Sequence, residues 1–555
     1  VFIALSSDGR GMVTAVELDG GGVETARSTV TEADLPAWVA TRDPARPRWA
    51  WGDTSRWYPP LLAAGVRVER CVDLRLCRRI LRHAVAAGGT TWPDDAWDRA
   101  APAAGSDGAL FELDEPVGDD DPVLELRRQL AAIAASLEPG RLALLTAAES
   151  VGALVAAEMS FAGLPWRADL HDEILRGLLG DPIPGGRPAR MEQLLAEVRA
   201  ALDVPALQPD SPAELVRGLQ QAGLRVGSTR SWELKRIDHP AIPPLLQYKK
   251  LARLHSANGW NWLAEWVRDG RFHPVYVPGG VVTGRWAADG GGALQLPKQV
   301  RGAVVADPGW RFVVADAAQL EPRVLAAMSR DAAMARAGQA HDMYQGMVDA
   351  GAVETRPQAK YGMLGAIYGG TTGESGRMRP RIEQAFPRAM AFVEEAARAG
   401  ERGEVVRTWL GRTSPPGRHE DRGADGGDEV RSEEEVRRDR TDARGWGRFT
   451  RNFVVQGTAA EWALCWMGAL RRRLWELGEP GSALTARPHL VFFLHDELIV
   501  HTPQALAPAV ETALRESATE AGRLLFGDTP VEFALTVATV ERYADAKEAN
   551  TGNAE

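Results

Sequence analysis

Short apolar runs alternate with polar turns over residues 1–155. Met12–Leu18, Arg48–Trp51 and residues 66–68 read as strands, and residues 121–137 carry a helical period. This mixture predicts a small α/β domain. Residues 156–265 are mostly helical in period, broken where Gly and Pro cluster near 180–187 and 203–212. Glycine turns follow over 280–335 and close on a strongly apolar strand at 311–315, and residues 336–410 return to helices. Residues 415–447 hold Gly, Asp, Glu and Arg with hardly an apolar side chain, which predicts a mobile loop with a short charged helix at 429–440. Residues 452–477 are helical, and 491–502 form an apolar hairpin with His495, Asp496 and Glu497 at its turn. No segment repeats.

With 555 residues, 45% of them hydrophobic, the chain can bury a large core and exceeds one ordinary domain. The net charge of −10 weighs against a nucleic-acid partner, although a basic channel can exist on an acidic protein. Nearly all basic charge is Arg. The lysines are Lys235, Lys249, Lys250, Lys298, Lys360 and Lys547, as a GC-rich genome would give, so each Lys draws notice. Cys71, Cys77 and Cys465 form neither a disulfide framework nor a metal-ligand spacing, which fits a reducing cytoplasm. No apolar run reaches the roughly 18 residues that span a bilayer.

Three blocks carry candidate chemistry. Residues 312–324 (FVVADAAQLEPRV) end an apolar strand in Asp316, which alone is an ordinary helix cap. Residues 491–500 (VFFLHDELIV) set three ionisable groups between apolar strands, which a tight turn explains in part. Residues 356–369 (RPQAKYGMLGAIYG) follow a capping Thr355 and place Arg356, Lys360, Leu364 and Tyr368 four apart on one helix face. Two cations, an apolar residue and an aromatic suit a ligand with a polyphosphate end and a planar end. They also suit a solvated helix start that runs into a buried finish.

Taken in order, the blocks resemble those of polymerase I-like, family A DNA polymerases. Residues 448–461 (RFTRNFVVQGTAAE), Thr283-Gly284-Arg285 with Leu294-Gln295, and residues 409–412 (WLGR) are similar to further family segments, so the likeness spans roughly 156–555. It implies an α+β multidomain chain: a right-hand polymerase of palm, fingers and thumb, preceded by a small α/β, RNase H-like and exonuclease-like domain at 1–155. The polymerase domain would span 156–555, with the thumb about 156–265, the palm about 266–335 and 448–555, and the fingers about 336–447.

The implied activity is template-directed addition of deoxyribonucleotides to a primer 3′ end by two-metal phosphoryl transfer, in DNA replication or repair. Asp316 and Asp496, with the Ala315 carbonyl, would hold two Mg²⁺ ions, for which Mn²⁺ can substitute, and Glu497 would support them. Arg356 and Lys360 would bind the triphosphate, with Lys360 also the acid for pyrophosphate. Gln319 would lie beside the phosphates, Glu321 would crowd the sugar 2′ position, and Tyr368 would stack by the templating base. Arg285, Arg448, Asn452 and Gln456 would contact primer–template, reading minor-groove acceptors common to all base pairs, and His495 would touch the primer end. Lys249, Lys250, Arg253 and Asn258 lie where a thumb would meet DNA. The implied partners are primer–template DNA and dNTPs, with no membrane, for a monomer in the cytoplasm at the nucleoid.

Several positions depart from the family. Leu364 stands where Phe or Tyr usually faces the sugar, so weaker nucleotide binding or altered sugar discrimination is expected. Tyr344 stands where a phosphate-contacting His is common, with His341 nearby, and the Asn usual after Gln295 is missing. In the exonuclease-like part the opening strand lacks its acidic pair, Tyr58 aligns with one metal Asp and Ser150 with another. No proofreading is expected, and the domain would persist as structure. Two other readings are a single-subunit RNA polymerase and a catalytically retired DNA-binding scaffold.

Overall fold

The computed structural model describes residues 1–88, 90–93, 97, 121–370, 373–417 and 433–547, the side chains of 433–440 excepted. Strands β1 (Phe2–Ser7), β2 (Met12–Leu18) and β3 (Glu24–Thr31) lead through helix α1 (Leu35–Arg42) to β4 (Arg48–Trp51). Helix α2 (Thr54–Ala63), β5 (Cys71–Asp73) and α3 (Leu74–Leu81) follow, then α4 (Pro122–Ala134) and α5 (Pro139–Ala162). The sheet runs β3-β2-β1-β4-β5, with β1 antiparallel to β2 and parallel to β4, and β4 parallel to β5. This is an RNase H-like order. Its core gathers Trp49, Trp51, Tyr58 and Leu61. Residues 66–68 are not a strand: Val68 is buried from a loop, and the pairing edge of β4 is taken by Cys71–Asp73.

Helix α5 corrects the membrane expectation by length and composition alone, with a mean hydropathy of 1.5 over an 18-residue window that is 72% buried. Its burial is inside the protein, and it carries Glu149 and Glu158 in buried ion pairs with Arg412 and Arg471. The expected boundary at residue 155 falls within this helix.

The chain divides into two compact units: Val1–Ala162 with Val275–Asp289 and Val313–Ala538, and Gly163–Pro274 with Gly290–Phe312 and Thr539–Glu555. The second holds β6 (Leu164–Pro165), α6 (Ala168–Leu179), α7 (Ala189–Leu202), α8 (Pro212–Gln221), α9 (Ser231–Leu234), α10 (Ile242–Asn258), α11 (Trp260–Trp266), β7 (Val267–Arg268) and β8 (Arg271–Phe272). One core joins Val198, Leu202, Leu215, Leu219 and Leu245, and a second packs Trp166, His171, Trp262 and Phe272. Burial pushes His171 down to about 4, so the ring stays neutral while a ring nitrogen meets the Asn258 carbonyl. Asn258 is therefore a buried partner of the core, Lys249 donates to the Thr229 carbonyl, and Lys250 and Arg253 face solvent.

In the first unit, β9 (Tyr276–Val277) and β10 (Ala287–Ala288) pair as a hairpin. Then come β11 (Trp310–Ala317), α12 (Leu320–Ser329), α13 (Ala332–Ala337), α14 (Met343–Asp349), α15 (Arg356–Tyr368), α16 (Gly373–Ala385) and α17 (Pro387–Glu401). The 45-residue α18 (Glu433–Leu477) precedes β12 (His489–Leu494), β13 (Glu497–Pro503), α19 (Ala507–Phe526) and β14 (Leu535–Val540). Of the expected loop, the short charged helix placed at 429–440 is helical from 433 and runs on without a break through 447, where loop was expected. Its acidic start suits a helix N-terminus, a signal that lacks the apolar period. Residues 418–432 of that loop lie outside the described residues.

The central sheet runs β12-β13-β11-β14. Every residue of β12 is buried, because α5 and α18 pack on it, and a continuous apolar run is the signature of such a strand. A bulge lies between Leu490 and Phe492 at this sheet edge, and the Tyr276 hydroxyl takes both free backbone groups of Phe493.

Candidate active site

Asp316 is the penultimate residue of β11, and Asp496 sits in the two-residue turn between β12 and β13. The Ala317 amide donates to the Asp496 carbonyl at 3.0 Å, so the two carboxylate-bearing residues stand beside each other across the sheet. Their positions are fixed by backbone that few residues adopt willingly. His495, exposed at the turn, has φ 62°, and Gln319, at the N-terminus of α12, has φ 51°.

Burial pushes the Asp496 carboxyl up to about 6, and nearby Glu321 and Glu497 add to the effect while Arg285 opposes it. Glu497 is itself buried, at 8% exposure, and Ala315 is fully buried before Asp316. The Asp496, Glu321 and Glu497 carboxylates thus lie near one another, with the exposed Arg285 guanidinium beside them. Clustered carboxylates suit a cation, which Asp316, Asp496 and the Ala315 carbonyl could hold. Among the described residues no group of three or more His, Cys, Asp or Glu side chains is placed to hold a metal ion.

Glu321, in the first turn of α12, bridges two expected site residues. Arg285 pairs with one oxygen, and the Tyr368 hydroxyl donates to the other at 2.5 Å. Burial, then the Glu321 bond, pushes the Tyr368 phenol up to about 12, and the nearby Gln456 side chain opposes the rise. Five residues from separate blocks (Arg285, Glu321, Tyr368, Gln456 and Asp496) thus converge.

The Thr355 side chain accepts from the Gln358 amide while the Gln358 side chain accepts from the Thr355 amide, a capping box that starts α15 at Arg356. Gly362 and Gly365 seat the helix on α16; a Cβ at Gly365 would come within 2.4 Å of the Ser375 Cβ. The opposite side presents Arg356 and Lys360 to solvent and leaves Leu364 and Tyr368 half-buried. Arg356 pairs with Asp342.

On α18, Arg448 is exposed and Gln456 half-buried. Among the described residues the Asn452 Oδ1 is buried without a hydrogen-bond partner, at a position expected to meet a ligand. Gln319 does not point freely into the site: its Oε1 accepts from the Met343 amide at 3.1 Å.

Three further residues of the site do not stand out in the sequence. Arg323, 1% exposed, donates to the carbonyls of Ala318, Gly338, Ala340, His341 and Glu532. Arg451 is buried between the Ala366 carbonyl and Glu394, tying the end of α15 to α17 and α18. Asp342 is the third. A charged residue inside an otherwise apolar helix was the available signal for Arg323.

In the N-terminal domain, Tyr58 donates to Glu158 at 2.6 Å, and Glu158 also receives Arg471 and Arg67. Ser150 accepts from the Asp73 amide, and the carboxylates of Asp53 and Asp73 cap α2 and α3. Tyr58 and Ser150 are thus engaged in hydrogen bonds within the core, and Asp53 and Asp73 in helix capping.

A sequence profile described as DNA polymerase family A matches residues 189–540. The chain belongs to DNA polymerase family A. Among its relatives, the thermostable DNA polymerase I of Thermus aquaticus is 26% identical over 469 residues, covering 77% of this chain and 49% of that protein. DNA polymerase I of Chloroflexus aurantiacus is 29% identical over 335 residues, covering 55% and 33%. The chain therefore spans half or less of these relatives' length. A solved polymerase domain of Pol1 from M. smegmatis, in complex with DNA primer-template and dNTP, matches with a TM-score of 0.71 over 98% of this chain and 96% of that one. At 19% identity that likeness establishes the family A fold.

Proposed function

We propose that the chain is a template-directed DNA polymerase that adds deoxyribonucleotides to a primer 3′ end. The observation that carries the reading is the convergence of Asp316 and Asp496 with Glu321, Arg285, Tyr368 and Gln456, beside a helix that opens with two cations. Asp316, Asp496 and the Ala315 carbonyl would hold Mg²⁺ ions, with Glu497 as support. Bound there, the ions would lower the pKa of the primer hydroxyl and stabilise the leaving pyrophosphate.

The chain's own residues position the reactants. Arg356 and Lys360 take the triphosphate, and Lys360, with no ion-pair partner among the described residues, can give a proton to the departing pyrophosphate. Glu321, clamped by Arg285 and Tyr368, is a rigid wall for the sugar 2′ position, which excludes a hydroxyl there. Leu364 offers the sugar an apolar contact without a planar face. Arg285, Arg448, Asn452, Gln456 and His495 meet primer–template, and the unsatisfied Asn452 acceptor gains a donor. We assign no proofreading to the N-terminal domain, since Tyr58 and Ser150 are committed to packing.

One assay tests these points together. A 5′-labelled primer on a template, with Mg²⁺, is expected to lengthen with dNTPs and far less with rNTPs, and to keep its length when nucleotides are withheld. Equal use of rNTPs would favour an RNA polymerase, no extension a retired scaffold, and shortening lost on changing a residue within 1–155 a working exonuclease.

A further inference from the structure

The two cations on α15 differ in a way that the block pattern does not show. Lys360 is exposed and takes no ion pair among the described residues. Arg356 is already occupied. Its Nε donates to Asp342 Oδ2 at 2.5 Å, and its guanidinium carbon stands 5.9 Å from the centre of the Tyr344 ring. An anion and an aromatic wall thus hold the side chain before any substrate arrives.

Asp342 cannot follow Arg356 if the pair opens. Its other oxygen caps α14, accepting from the Tyr344 amide at 3.0 Å and the Gln345 amide at 3.3 Å. Buried Arg323 binds the carbonyls of Gly338, Ala340 and His341, which anchors the segment leading into Asp342. The next amide, Met343, donates to Gln319. The carboxylate is fixed, so the flexible partner is Arg356. The pair is also partly wet, with side chains 49% and 32% exposed, and such pairs are readily displaced by a polyanion.

We propose that Asp342 is an internal stand-in for phosphate that competes with the incoming triphosphate for Arg356. It keeps the guanidinium oriented in the empty site and sets the nucleotide concentration at which the site fills. The inference rests on the polymerase reading in taking Arg356 as a triphosphate ligand. The ligand class is the polyphosphate itself, so inorganic tripolyphosphate competes for the same contact.

Asp342→Asn keeps a capping acceptor and removes the charge. Asp342→Ser does the same with a shorter side chain. In steady-state primer extension by the full chain, both variants are expected to lower the apparent KM for dNTPs roughly 2- to 5-fold, with the change in KM rather than kcat. Calorimetric titration with tripolyphosphate, which needs no activity, is expected to show tighter binding by a similar factor. In an Arg356→Ala background, which itself weakens binding, Asp342→Asn adds nothing. Unchanged or weaker tripolyphosphate binding in both Asp342 variants, at wild-type melting temperature, overturns the proposal. A wild type that extends no primer overturns the polymerase reading instead, and leaves the titration to decide on Asp342.

Discussion

Asp496→Asn is expected to lower primer extension by about 10³-fold or more, since a metal site contributes several kcal/mol of transition-state stabilisation and each 1.36 kcal/mol is tenfold in rate. The same variant is expected to melt no lower than wild type. The reason lies in the sign of the carboxyl's shift. Burial and two neighbouring carboxylates raise Asp496 to about 6, so the folded state carries its charge at a cost above that pH. A neutral amide removes the cost. Lost activity with retained or raised stability separates a functional carboxylate from a turn residue. A variant that extends primers like wild type would remove Asp496 from the chemistry. One that unfolds would make it structural.

Arg471→Ala is expected to destabilise the first unit by about 3–5 kcal/mol, the usual cost of stranding a buried charge. Arg471 donates to both Glu158 oxygens and to the carbonyls of Val68 and Glu69, with 5% exposure. Burial pushes Glu158 up, but Arg471 and Arg67 outweigh it and hold the carboxyl below its ordinary value. Removing Arg471 leaves Glu158 buried with only the Arg67 charge and the Tyr58 hydroxyl described beside it. The check is a double-variant cycle with Glu158→Gln, read by thermal unfolding. The double variant is expected to lose less stability than the two single losses added together. Simple additivity would mean that the two residues do not act as a pair. The network joins α2, α5 and α18, so it ties the N-terminal sheet domain to the helix that carries Gln456.

Much of the site was legible in the chain. Asp316 and Asp496 stand out because each interrupts an apolar strand, and strands of that kind are buried on both faces. The stripe from Arg356 to Tyr368 is legible because helical spacing alone aligns residues four apart, and Thr355 marks where the helix must begin. What stayed hidden depends on partners distant in sequence. Arg323 binds a carbonyl 209 positions away, and Arg471 meets Glu158 across 313. No local pattern encodes such pairs, although Glu149 and Glu158 inside the apolar α5 were a hint that buried cations must exist. The full length of α18 is hidden for another reason. A helix that begins with charged residues lacks an apolar period, so only a short charged helix within a loop is legible there. The misplaced strand at residues 66–68 shows the limit of short apolar runs, since burial of Val68 needs no sheet.

The most direct measurement uses wild-type protein, Mg²⁺ and four primer–templates that differ only in the base opposite the next position, with one dNTP supplied at a time. Each template is expected to direct addition of its complementary deoxynucleotide, with the other three added far more slowly. Addition of the same nucleotide on every template, or of none, would contradict the polymerase reading.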